Sequence, residues 1–264
     1  MSGDERKVAT PKEMRDLVAG TPSDDASWFT YGDVVLTPAE LSDLLVPHLT
    51  PDRIAAIEEV LANRTDTLAV VIEGMVDVGN VSAVMRTADG FGVLEVHTID
   101  VAGSYKRSKR TTQGADKWID RHRWESTSAC YEHLRRRGFV IAAAAIADTA
   151  LPIAETDLTS PTALVFGNEL DGLSREAVDG ADCIVAVPML GFVESFNISV
   201  AVAVVLYEAV RQRTTLGGSA GDLDPATVER IRAVWYAKSV KNVRTVITHK
   251  LGGRNGGQPS NGIR

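Results

Sequence analysis
Short apolar runs rich in β-branched residues alternate with stretches of helical period through most of this chain. The runs 68–72, 94–99, 139–146, 162–166 and 183–187 predict buried strands. Between them, 80–91 carries Val81, Val84, Met85 and Ala88 on one face and predicts a helix. A second helix is predicted over 126–137, stopped by Gly138, and a long apolar one over 197–212. Strands and helices alternating in this way predict an α/β fold, a mostly parallel sheet with helices on both faces.

Outside that region the pattern changes. Residues 1–50 are acidic, carry Pro11, Pro22, Pro38 and Pro47, and hold no sustained period, so an extension with short helices at best is expected. A helix is predicted from Pro51, with Thr50 as its cap and Ile54, Ile57, Val60 and Leu61 on one face. The main domain then runs over 51–216. Gly217-Gly218-Ser219-Ala220-Gly221 breaks the chain, a helix is expected from Pro225 to about Thr248 within a basic segment 217–251, and 252–264 reads as a disordered tail. Residues 103–117 form a polar, basic stretch without period.

Composition narrows the possibilities. An apolar content of 44% over 264 residues is ample for a core without metals or disulfides. Cys130 and Cys183 lie far apart with no CxxC pair, and the charged start has no apolar leader core, which points to a soluble, cytoplasmic protein with no membrane partner. The net charge of −7 argues mildly against a polyanionic partner, but the excess acid sits in the first 60 residues. The rest is balanced and contains two basic clusters. Lys106, Arg107, Lys109 and Arg110 lead one, which continues through Lys117, Arg121 and Arg123. Lys238, Lys241 and Arg244 centre the other, a stretch from Arg230 to Arg254 without an acid. Such clusters are the footprint of phosphate contact, and equally of solvated surface.

Several familiar motifs fail. Gly217 to Gly221 fits GxSxG but follows a helix, where a nucleophile elbow must follow a strand. There is no GxxxxGK[ST] and no GxGxxG between a strand and a helix. His48, His97, His122, His133 and His249 are scattered without metal-ligand spacing, so no metal is implied.

Three turns remain. Asn80 and Ser82 open the first helix, where Asn80 reads either as a cap or as a site residue. Arg86, six residues on, interrupts an apolar face. Gly167-Asn168-Glu169 ends a strand with an acid. Ser195, Asn197 and Ser199 precede a helix that needs only one cap, an excess that marks a site. Polar groups at strand ends are where open α/β sheets hold ligands.

In this order the three stretches resemble the signature motifs of the SpoU (TrmH) branch of the SPOUT RNA methyltransferases. Val187-Pro188-Met189-Leu190-Gly191 and Glu194-Ser195-Phe196-Asn197-Ile198-Ser199 carry the most specific part of the likeness, which covers about 52–213. Glu194 stands where the family usually has Gln, and Phe196 where it has Leu. The resemblance implies a C-terminal trefoil knot, a homodimer, and S-adenosylmethionine as methyl donor. By position, Asn80, Arg86, Glu169, Ser195 and Asn197 match catalytic or site-forming residues, and Ala144, Gly167, Val187, Leu190 and Phe196 match the cofactor wall. The implied activity is RNA ribose 2′-O-methylation, with guanosine 18 of the tRNA D-loop as target. A ribosomal RNA target and a catalytically silent RNA-binding protein are the alternatives.

Overall fold
The computed structural model describes residues 29–31, 34–74, 77–100, 117–217 and 221–252. The basic residues Lys106, Arg107, Lys109 and Arg110, most of the N-terminal extension and the tail from 253 on lie outside the described residues. Two compact units divide the chain, one spanning 62–223 and the other 1–61 with 224–264.

In the terminal unit, strands β1 (Phe29–Tyr31) and β2 (Val34–Leu36) form an antiparallel hairpin. Helix α1 (Pro38–Leu45) follows, within the stretch expected to be an extension. Its start is a capping box: Thr37 Oγ1 accepts from the Glu40 N–H at 3.1 Å, and Glu40 Oε2 accepts from the Thr37 N–H at 2.8 Å. Helix α2 (Pro51–Leu61) begins as expected, with Thr50 Oγ1 accepting from the Arg53 N–H.

The central unit begins with strand β3 (Thr65–Glu73), helix α3 (Val78–Gly90), strand β4 (Val93–Ile99) and strand β5 (Asp120–Trp124). Helix α4 (Thr127–Arg136), strand β6 (Val140–Ala144), the short strand β7 (Leu151–Pro152) and strand β8 (Thr162–Phe166) come next. Helix α5 (Arg175–Asp179), strand β9 (Cys183–Ala186) and the 20-residue helix α6 (Ile198–Gly217) complete it. The seven strands stand in the order β5-β4-β3-β8-β6-β9-β7, and every ladder among the described residues of this sheet is parallel.

The sheet is apolar on both faces because both are covered. Alternate residues Leu68, Val70 and Ile72 of β3 pack with Val81, Val84 and Met85 of α3 and Val202, Val205 and Leu206 of α6. Ala69 and Val71 point the other way, onto Cys130, Tyr131 and Leu134 of α4 and Ala177 of α5. Full burial of side chains of this size contributes about 1.5–3 kcal/mol each. Arg213 fastens α6 to the opposite end of the sheet, donating to the carbonyls of Leu158, Ser160 and Thr67.

Back in the terminal unit, helices α7 (Pro225–Ser239) and α8 (Val243–Gly252) replace the single basic helix expected. The break falls at Asn242, whose φ of 53° is a left-handed conformation that Asn tolerates better than most residues. Trp235 and Tyr236 of α7 are buried, and Arg232 forks onto Glu58 with two bonds of 2.6 Å.

Candidate active site
The chain runs from β3 through α3 to β4 on one side, whereas β8 pairs with β3 on the other. That change in winding sense makes a topological switch point beyond the carboxyl ends of β3 and β8, where Ile72 lies opposite Phe166. Helix α3 follows β3 there, and the Gly167–Glu169 turn follows β8.

The N-terminus of α3 is capped by Asp77, whose Oδ1 accepts from the Gly79 N–H at 2.7 Å. Asn80, one turn inside, is therefore not the cap, and its half-buried side chain is spent elsewhere. Asn80 Nδ2 donates to Glu169 Oε1, and Asn80 Oδ1 accepts from Asn197 Nδ2 at 3.3 Å. Asn197 in turn starts α6: its Oδ1 accepts from the Ser199 N–H at 3.0 Å and from Ser199 Oγ at 2.6 Å. Each amide has one direction available to it. The helix N-terminus claims the Asn197 oxygen, which leaves its nitrogen for Asn80, which leaves the Asn80 nitrogen for the carboxylate.

The turn that carries Glu169 is tightly built. Asn168 Oδ1 accepts from the Leu170 and Asp171 N–H groups, both at 2.8 Å, and the Gly172 N–H donates to the Asn168 carbonyl at 3.0 Å. A Cβ on Gly167 would lie 2.1 Å from the Gly172 carbonyl carbon, so only glycine lets the two limbs approach.

Arg86 sits six residues beyond Asn80, about 9 Å along α3 and about 240° around it, with its side chain exposed. Ser195 is exposed in the segment between β9 and α6. Among the cofactor candidates, Ala144 pairs with both Phe166 and Val185, so the ends of β6, β8 and β9 stand side by side. Gly167 and Val187 extend two of those ends. Leu190 and Phe196 lie in the β9–α6 segment, Leu190 fully exposed and Phe196 less so. Of the basic candidates that are described, Lys241 and Arg244 are exposed and Lys238 is half-buried on α7.

The histidines are less scattered than their spacing suggests. His97 and His122 stack at 4.7 Å between adjacent strands, with Nε2 atoms 3.6 and 3.4 Å from Glu95 Oε2. Parallel pairing of β4 with β5 brings them together, which sequence distance hides. Burial favours a neutral Glu95, but hydrogen bonds from His122, His97 and Arg137 outweigh it and hold the carboxyl well below its usual range. His97 Nδ1 accepts from Trp124 Nε1 at 2.9 Å. A neutral imidazole has a single acceptor nitrogen, so Nε2 carries the hydrogen and is not a ready metal ligand.

The sequence did not reveal that Asp77 is the helix cap, nor any role for Glu73. Glu73 is an acid directly after the apolar run 68–72 of β3, a signal present in the pattern.

A parallel sheet with hydrogen-bonded polar side chains gathered at its topological switch point is the arrangement in which open α/β proteins hold ligands. Residues 67–207 match the SpoU rRNA Methylase family, and the chain belongs to that family. It is 39% identical over 190 residues to a tRNA (guanosine(18)-2'-O)-methyltransferase of Thermus thermophilus, covering 72% of this chain and 98% of the relative. The crystal structure of the A. aeolicus TrmH/SpoU tRNA modifying enzyme superposes with a TM-score of 0.65 at 34% identity, over 72% of this chain and 98% of that one. The SpoU methyltransferase AviRb of Streptomyces viridochromogenes, solved in complex with the cofactor AdoMet, matches with a TM-score of 0.51 at 27% identity. That likeness covers 60% of this chain and 64% of AviRb.

Proposed function
We propose that this protein methylates the ribose 2′-hydroxyl of guanosine 18 in the tRNA D-loop, using S-adenosylmethionine. The observation that carries the reading is the directed chain Asn197–Asn80–Glu169 at the topological switch point, in a member of this family with close tRNA-modifying relatives.

S-adenosylmethionine supplies both the methyl group and its own leaving group, so the chain needs no covalent nucleophile. Ala144, Gly167, Val187, Leu190 and Phe196 would hold it. They are uncharged and cluster at strand ends or in the segment that follows β9, which suits an adenosine and a sulfonium. Asn80 and Glu169 orient the ribose, and their fixed geometry supplies a large share of the rate. Arg86 stabilises the developing alkoxide; a guanidinium is too weak an acid to serve readily as base. Asn197 couples the start of α6 to Asn80 and, with Ser195, shapes the cleft.

The backbone closes as a trefoil knot in this reading. In support, β9 lies between β6 and β7, so residues 145–150 must cross it, and the chain leaving β9 emerges beside that crossing. A homodimer is supported by uncovered apolar groups: Val200, Val204 and Tyr207 share one face of α6, and Phe192 and Val193 are exposed nearby in sequence. Lys238, Lys241 and Arg244 contact RNA phosphates, as do Lys106, Arg107, Lys109 and Arg110.

The family description keeps ribosomal RNA as the second reading. Mass-spectrometric mapping of ribose methylation, on tRNA and ribosomal RNA from cells with and without the protein, tests both. Loss of the mark at guanosine 18 is expected. A mark lost only from ribosomal RNA overturns the tRNA assignment.

A further inference from the structure
Glu73 is the last residue of β3 and is 2% exposed, on the face that packs against α4 and α5 rather than the face bearing Asn80. A carboxylate buried that deeply needs donors, and it has three. Oε1 accepts from Thr127 Oγ1 at 2.6 Å and from Ser174 Oγ at 2.8 Å. Oε2 accepts from the Ser174 N–H at 2.7 Å. Ser174 is also the cap of α5, its Oγ accepting from the Ala177 N–H at 3.1 Å, so its hydroxyl hydrogen is committed to Glu73.

The consequence lies in the segment that ends at Ser174. Residues 167–174 leave β8 at Phe166, directly opposite Ile72, and return to the carboxylate of the very next residue of β3. Both ends of the loop are thus pinned to consecutive residues of one strand, and its tip carries Glu169. We propose that Glu73 is a positioning residue for the methyl transfer: by holding Ser174 it fixes the height and direction at which Glu169 meets Asn80. It touches neither substrate nor cofactor, and acts through the loop. The inference rests on the reading of the Asn80–Glu169 pair as part of the transfer site.

A double-mutant cycle with Glu73→Gln and Glu169→Ala tests it, in the full-length protein with tRNA transcript. Glu73→Gln keeps the shape but replaces one acceptor oxygen by a donor, so the three donors can no longer all be met. The expected result is a fall in kcat of about tenfold with KM for both substrates within about twofold, and no further fall, within about twofold, when Glu169 is already Ala. Equal falls in both backgrounds would show a general structural role and overturn the proposal. Hydrogen exchange gives a readout independent of activity: the Leu170, Asp171 and Gly172 amides should exchange faster in Glu73→Gln, while those of Val70 and Val71 do not. Unchanged loop amides also overturn it. If the wild type methylates no RNA, the functional reading falls, and the exchange result still decides the anchoring. Should Glu73→Gln fail to fold, Thr127→Val removes a single donor to the same carboxylate, leaves the α5 cap in place, and serves instead.

Discussion
Asn80→Asp is the sharpest probe of the site, because it changes one atom and keeps the other contact. The Asp oxygen at the Oδ1 position still accepts from Asn197 Nδ2, whereas the donor to Glu169 is gone and a second carboxylate faces the first. Losing a hydrogen bond to a charged acceptor costs about 1.5–3 kcal/mol. Two like charges about 4 Å apart repel by about 1 kcal/mol in water and about 4 kcal/mol at an effective dielectric near 20. Asn80 is half-buried and Glu169 exposed, so the lower end applies. The sum of about 2.5–4 kcal/mol corresponds to a loss in kcat/KM of about 10²–10³-fold. Asn80→Ala loses the bonds without the repulsion and should lose about 10–10²-fold. Methyl transfer to a tRNA transcript under kcat/KM conditions, with a thermal melt to check folding, measures both. If Asp is tolerated as well as Ala or better, the Asn80–Glu169 contact does not matter to the chemistry.

Arg86→Ala should abolish transfer while S-adenosylmethionine affinity, measured by calorimetry, stays within about twofold; an equal loss of affinity refutes its role at the alkoxide. Neutralising Lys238, Lys241 and Arg244 together should weaken tRNA binding and lower the slope of log affinity against log salt by about 2–3, and an unchanged slope excludes them from the contact. Gly167→Ala should destabilise the protein by about 1–3 kcal/mol, since its Cβ meets the Gly172 backbone at 2.1 Å, and an unchanged melting temperature would contradict that packing. Acid should destabilise the fold from about pH 6.5 downward. Burial, the largest influence, pulls the His97 pKa down, so the unfolded chain binds a proton there that the folded one refuses, and stability is lost as pH falls. Glu95, also depressed, extends the loss below the ordinary carboxyl range. Urea unfolding from pH 8 to about 3 checks this, and a flat profile between about pH 7 and 5 refutes the His97 part.

The buried strands were legible because their apolar runs stand out, and β8 matches its predicted span residue for residue. Strand β5 was not, since Asp120-Arg121-His122-Arg123-Trp124 is a polar edge with no apolar run. Helix α1 escaped although Thr37, Pro38 and Glu40 spell a capping box, because the prolines around it suggested an extension. Asn80, Glu169 and Asn197 could be picked out as excess polar groups at turns. What could not be read was their order of connection, nor that Asp77 takes over the cap and frees Asn80. Such links depend on which strand ends become neighbours, and register is a property of the folded sheet.

The order of strands also sets a timetable. Asn80 and Glu169 are 89 residues apart, and Asn80 and Asn197 are 117 apart, with β8 and β9 each inserted between strands made earlier. Contacts of such long range are slow to form. During refolding, helical signal should therefore return well before competence to react, and a chain still emerging from the ribosome stays inert until its last long helix is free to dock.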